Sequence, residues 1–259
     1  MKLKDTIHRN LPGQLLILLL VVIAIAMSAH ATGADFGLFI RNHRQMGIFM
    51  GYFMRPDWAF FSRIIDPMIL TLRMAVVGTV LGSVTAIPLS FLATTIVTGN
   101  RAVTGIVRLL MNIIRTVPTL LLAALFVAIF GIGPVTGVLT LAVFSFGIMS
   151  KLMYDLIETI DLSPLEAAES VGANPVQIVV WSIVPQISHI VASYILYVFE
   201  INIRASTILG YVGAGGIGVV LNSALGLFRY DRVSVIILFI LAVIFIVDGI
   251  SEFFRRRLT

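Results

Sequence analysis

An all-helical, polytopic membrane protein with about six transmembrane helices is predicted by the share of apolar residues and by their gathering into uncharged tracts of bilayer length. Hydrophobic residues make up 59% of the 259-residue chain and charged residues 12%, and the mean hydropathy is +1.04. A water-soluble domain of that composition would be covered in contiguous apolar patches. Crossing about 30 Å of hydrocarbon takes roughly 20 apolar residues of helix, and each span can be justified in turn.

Residues 11–34 carry no formal charge and form the first span. Residues 68–97 carry one charge, Arg73, and form the second. Residues 116–150 are uncharged but too long for one crossing. Gly131-Ile132-Gly133-Pro134 divides them into a third and a fourth span, because glycine and proline favour a tight turn and end helices. Residues 186–209 and 233–253 supply the last two. Between the first two spans, Met46, Phe49, Met50 and Phe53 fall at helical spacing near Trp58 and Phe60, which predicts an interfacial helix lying flat. Two regions are therefore expected: residues 1–66, with the first span and the external interfacial helix, and a core over residues 67–259.

Lys2, Lys4 and Arg9 precede the first span, and Arg255-Arg256-Arg257 follow the last. Basic residues are retained on the cytoplasmic side, so both termini are expected in the cytoplasm, which an even number of spans satisfies. Arg41, Arg44, Arg55 and Arg63 then lie outside, against that rule. The triplet Ala29-His30-Ala31 after a basic start also fits a cleavable signal peptide. The uncharged stretch is longer than the usual signal core of about 7–15 residues, which favours a retained span.

Without cysteine there are no thiolate metal sites or disulfides, and His8, His30, His43 and His189 have no ligand spacing. No metal site and no catalytic constellation is expected. The chain lacks a G-x-x-x-x-G-K-[ST] loop, so ATP would have to be bound by another subunit. Gly213-Ala214-Gly215-Gly216-Ile217-Gly218 matches G-x-G-x-x-G, but a dinucleotide site requires a strand before it and an acidic residue about 20 positions on. Following a span, the run instead reads as a hinge or a close-packed turn.

Between the fourth and fifth spans, Glu166-Ala167-Ala168-Glu169-Ser170-Val171-Gly172 reads as a short cytoplasmic helix. Ser163 suits its N-cap, Pro164 its first turn and Gly172 its C′ position. Glu166 and Glu169 favour the positive helix start. Within the fifth span, Ser193, Tyr197, Glu200, Arg204 and Thr207 form one polar stripe, and Glu200 and Arg204 are spaced to pair. An ionised residue at a helix centre costs about 2.5–3.5 kcal/mol, so such residues face a partner, a cavity or a water path. A structural ion pair and a pathway role are both compatible with Glu200 and Arg204. Arg108, Asn112, Arg115 and Thr119 form a second stripe ahead of Pro118, where Arg108 suits snorkelling to the interface and Arg115 is compatible with snorkelling or with a pathway role. Lys151, Asp155 and Glu158 are spaced for local pairing.

Glu166, Ala167, Ala168, Gly172 and Pro185 together resemble the EAA motif of permease subunits in bacterial ATP-binding-cassette (ABC) importers. Ser182 and Val184 depart from the Ile and Leu common in that pattern. The stretch from Ser193 through Glu200, Asn202 and Arg204 to Thr207, running into Gly210 and Gly213 to Gly218, is similar to the phosphonate (PhnE-like) permeases. Methionine-type importer permeases share a related glycine-rich ending. The resemblance implies a type I ABC importer permease fold, with the segment at about 163–175 as a coupling helix that docks into an ATPase. It implies two cytoplasmic ATPase subunits holding ATP and Mg, an external substrate-binding protein and a second permease copy forming a homodimer. It also implies residence in the bacterial inner membrane, and no nucleic-acid partner is expected. The cargo would be phosphonate, phosphate or a related oxyanion. Arg115, Tyr197, Glu200, Asn202 and Arg204 are the pathway candidates, and Gly210, Gly213, Gly215, Gly216 and Gly218 the external gate. A methionine-type importer is the alternative. A proton-coupled secondary transporter using Glu200 or Asp248 is a further one, which leaves the EAA segment without a role.

Overall fold

The computed structural model of the chain describes residues 11–33 and 37–258, among which every regular element is helical. Lys2, Lys4, His8 and Arg9 lie outside the described residues. Two compact units divide between Tyr52 and Phe53. The first holds α1 (Leu11–Ala31), α2 (Gly37–Arg41) and nearly all of α3 (His43–Phe53). The large apolar residues of α1 from Leu15 to Met27 are exposed and α3 buries none, as expected of helices whose solvent is lipid or its interface.

The second unit begins earlier than the expected boundary at residue 66. A 3-10 turn, Trp58–Phe60, and the start of α4 (Phe61–Leu92) belong to it. Phe60 and Ile64 pack with Ile217, Val233 and Ile236, and the Asp57 amide donates to the Asp231 carbonyl at 3.1 Å. These contacts reach across most of the chain, which a local hydropathy reading does not register.

After α4 come α5 (Thr95–Thr98), α6 (Arg101–Thr116), α7 (Thr119–Phe130), α8 (Pro134–Ile157), α9 (Ser163–Ser170) and α10 (Pro175–Ile178). A π turn, Val179–Ile183, leads into α11 (Val184–Leu209), followed by a 3-10 turn at Gly210–Val212, α12 (Ile217–Gly226) and α13 (Tyr230–Leu258). Five described helices are long and apolar enough to cross a membrane, and the number is six when α6 and α7, bent by 86°, are taken as one span. The division of residues 116–150 at Gly131 to Pro134 is present, but α7 alone rises only about 18 Å and cannot cross. Together with α6 it has the length and composition of a broken span or a re-entrant loop. Pro118, lacking an N–H and forcing Val117 into an extended conformation, breaks the two apart.

Small residues let α4 and α8 approach closely. Gly78 and Gly82, four apart on α4, lie against Leu141 and Ser145 of α8, and a β-carbon at Gly82 would strike Ser145 and the Ala142 carbonyl. At one end of this pair Met149, Met153, Leu156 and Ile157 of α8 join Ile183, Ile187 and Val198 in an apolar cluster that also takes in Leu165 of α9. Toward the other end Met74, Ala123, Leu141, Leu209 and Ala214 form a second cluster.

Candidate functional site: the loop helix and the base of α11

The loop between α8 and α11 is built around α9. Ser163 is the first helical residue rather than the N-cap. Leu162 is the N-cap, and the Asp161 carboxylate just before it accepts from the Ser163 amide at 3.0 Å and from its hydroxyl at 2.8 Å. These two bonds, the main-chain one first, hold the Asp161 carboxyl below its ordinary value. Pro164 occupies the first turn.

At the other end, Gly172 takes φ +81°, its amide donates to Glu169 O at 2.9 Å, and the Ala173 amide donates to Ala168 O at 3.1 Å. This is the paired bonding of a Schellman ending, with Gly172 at C′. The helix expected over 163–175 therefore stops at Ser170. Asn174 then opens α10 with a capping box, its side chain and that of Gln177 each bonding the other's amide at 2.9 and 2.8 Å.

One face of α9 is anchored and the other is open. Leu165 is buried among Ile183, Ile187 and Met153, whereas Glu166, Ala167 and Glu169 are exposed and Ala168 is half-buried. Ser182 donates to the Pro164 carbonyl at 3.2 Å, so one of the two residues that depart from the EAA pattern ties the π turn to α9. Gln186 donates to Asp161 O at 3.2 Å and to Ser182 O at 2.8 Å, and accepts the Asp161 amide at 3.1 Å. Pro185 sits in the first turn of α11 directly before it. Nothing in the linear sequence pairs Gln186 with Asp161; the only signal is a polar side chain following Pro185 at a membrane entry.

The polar residues of α11 face different neighbours. Asn202 is fully buried between α4 and α8 and donates to Thr79 Oγ1 at 2.7 Å and Ser145 Oγ at 2.6 Å. Glu200 faces α13, where Arg255 donates to its carboxylate at 2.8 Å. Arg204 lies 3.9 Å from Glu200 and 3.4 Å from Asp248 of α13. Tyr197 is exposed. Arg115, also exposed, lies near the α6–α7 break with its backbone tight against Gly147, where an added β-carbon would stand 3.0 Å from Arg115 Cα. Among the described residues no hydrogen bond or ion pair joins Arg115 or Tyr197 to the other three.

On α6, Arg108 donates to the Ala93 carbonyl at 2.6 Å, pairs with Glu158 and stacks over Tyr154. Lys151 pairs locally with Asp155 at 2.6 Å. At the far end of α11 the glycine run folds back on itself. Gly210 and Gly218 touch through their backbones, and Gly216, at φ +75°, presses on Thr71 Oγ1. Thr71 Oγ1 accepts the Ile217 amide at 2.8 Å, and the Gly133 amide donates to Gly213 O at 3.1 Å. Gly215 lies against Pro134. Among the described residues no group of three potential metal ligands is gathered.

The chain is 38% identical over 207 residues to the phosphite transport system permease protein of Stutzerimonas stutzeri, covering 80% of this chain and 75% of that one. It is 36% identical to the phosphate-import permease protein of Mycolicibacterium smegmatis over 73% of this chain, but spans only 35% of that longer relative. Among solved structures, an inward-facing methionine ABC transporter matches with a TM-score of 0.67 at 20% identity, over 76% of this chain and 96% of that one. An amino acid ABC transporter matches with a TM-score of 0.63 at 18% identity, over 82% and 97%. These likenesses establish the type I ABC importer permease fold. Residues 78–259 match the family model described as the binding-protein-dependent transport system inner membrane component, and the chain belongs to that family of multi-pass membrane permeases.

Proposed function

We propose that this chain is the membrane-spanning subunit of an ATP-driven importer for phosphite, phosphate, phosphonate or a related small oxyanion, working by alternating access. The observation that carries the reading is α9 itself: a short helix fixed to the transmembrane bundle by Leu165, Ser182 and Gln186, with Glu166, Ala167 and Glu169 turned outward. Small alanines let another surface approach closely, and the flanking carboxylates suit a basic rim. This is the coupling surface for the ATPase, and Gly172 and Pro185 fix where it ends and where α11 begins.

ATP and Mg belong to two cytoplasmic ATPase subunits, one on each α9 of a permease homodimer, and an external binding protein delivers the cargo. Both termini and α9 lie on the cytoplasmic side, while the run from Gly210 to Gly218 shapes the external mouth. Arg115 beside the α6–α7 break is the best-placed pathway residue of the five, because an exposed guanidinium at a broken span can meet an anion. Glu200, Asn202 and Arg204 hold the wall of the path, and Tyr197 is open to its lumen. The relatives' printed cargoes, phosphite and phosphate, support the oxyanion class.

The test is uptake by proteoliposomes containing permease, partner ATPase and binding protein, with phosphite, phosphate and a simple alkylphosphonate as cargo. ATP-dependent uptake of at least one of them, weakened by Arg115→Gln with ATPase docking kept, is expected. Uptake driven by a proton gradient without ATPase would overturn the reading.

A further inference from the structure

We propose that Gln186 is the positioning residue that makes α9 and α11 move as one body, and so sets how much transport each hydrolysed ATP produces. The inference rests on α9 being the coupling helix. The side-chain amide of Gln186 has two N–H donors and a carbonyl acceptor, and both donors and the acceptor are engaged. Nε2 donates to Asp161 O at 3.2 Å and to Ser182 O at 2.8 Å, while Oε1 accepts the Asp161 amide at 3.1 Å.

Two of these bonds go to the main chain of a single residue, its N–H and its C=O. They fix the position and tilt of the peptide planes at Asp161, whose carboxylate in turn holds the amide of Ser163, the first residue of α9. The third bond returns to the π turn, whose Ser182 hydroxyl reaches the Pro164 carbonyl at 3.2 Å. A closed circuit therefore runs from the α9 entry, through Gln186, into the first turn of α11 and back to α9 through Ser182.

The setting explains why a polar strut is needed. Apolar contact at Leu165 holds α9 close to α11 but is non-directional, so it permits sliding. Hydrogen bonds to fixed main-chain groups resist sliding. The π turn at Val179–Ile183 is a short, loosely wound segment between the capped α10 and α11, and without the circuit it could absorb a displacement of α9. With the circuit closed, a push on Glu166 and Glu169 passes into α11, the helix that carries Tyr197, Glu200, Asn202 and Arg204.

The experiment compares Gln186→Met and Gln186→Glu with the unaltered chain in proteoliposomes holding the complete transporter, reading phosphite imported per ATP hydrolysed. Gln186→Met keeps length and volume and removes all three bonds, and it should lower that ratio by about tenfold while ATPase still co-purifies. Gln186→Glu keeps the acceptor for the Asp161 amide but turns a second oxygen toward the Asp161 and Ser182 carbonyls, so it should lower the ratio at least as far. An unchanged ratio in Gln186→Met overturns the proposal. Loss of assembly in both variants also overturns it, by assigning Gln186 to folding. Absence of ATP-coupled uptake of all three of phosphite, phosphate and a simple alkylphosphonate in the unaltered transporter would instead count against the proposed function, so the two failures are told apart.

Discussion

Glu200 and Arg255, 55 positions apart, meet at 2.8 Å between α11 and α13. The Glu200 side chain is 7% exposed, and Arg204 beside it lies 3.4 Å from Asp248. The acidic and basic residues inside the α11 span are thus compensated by α13, which brings the chain's last basic cluster back to its fifth span. A buried carboxylate left without its cation is strongly unfavourable.

Arg255→Ala should therefore destabilise the purified permease by about 1–3 kcal/mol, below the cost of breaking a fully buried pair because Arg255 is partly exposed. Thermal unfolding in detergent reads this out. The double variant Arg255→Ala with Glu200→Gln should recover part of the loss, since the carboxylate is then no longer stranded.

Asn202 is the cross-brace of the three central helices, bonding Thr79 of α4 and Ser145 of α8. Asn202→Ala should cost about 1–2 kcal/mol, since it leaves two buried hydroxyls without the amide. The same unfolding measurement checks it, and an unchanged midpoint would show that the hydroxyls find other partners.

Local signals explain what the sequence made legible. Uncharged tracts of bilayer length marked the membrane class, glycine and proline marked the turn before α8, and Gly172 ends α9 in the geometry its residue type suggests. Partners far apart in sequence left no such trace. Glu200 and Arg204, spaced four apart, were expected to pair along α11, yet their nearer partners Arg255 and Asp248 come from α13. Glu158 similarly leaves its local neighbours for Arg108 of α6. The clamp by Gln186 was illegible because it bonds main-chain groups, which every residue carries.

The glycine run offers a steric prediction. Gly216 sits at φ +75° with Thr71 Oγ1 where a β-carbon would stand. Gly216→Ala should be strained by about 1–3 kcal/mol and should weaken the turn that Thr71 holds through the Ile217 amide. Thr71→Val, which removes the hydroxyl that accepts the Ile217 amide and donates to the Pro67 carbonyl at 3.0 Å, should have a smaller effect of about 1 kcal/mol. Faster hydrogen exchange at the Ile217 amide in both variants is the expected readout.

Asp161 gives a pH prediction. Its folded carboxyl is held below the ordinary value by the Ser163 amide and hydroxyl. Its stabilising contribution is accordingly present in full above the unfolded value of about 3.9 and is lost as pH falls through the lowered folded value. Hydrogen exchange at the Ser163 amide, corrected for intrinsic pH dependence, should show constant protection from neutrality to about pH 5 and a decline only in stronger acid. Loss of protection already between pH 6 and 7 would contradict this, and Asp161→Asn should remove the acid transition.

The central claim is that the outward face of α9 receives the ATPase. Its most direct measurement is co-purification of the partner ATPase with the membrane-inserted permease, comparing the unaltered chain with Glu166→Lys and Gly172→Asp. Glu166 is exposed and Gly172 has no atom within 4 Å of an added β-carbon, although its φ of +81° makes substitution there strained. Both variants should insert normally and lose at least about tenfold in ATPase recovered. Full recovery of the ATPase with both variants would contradict the account.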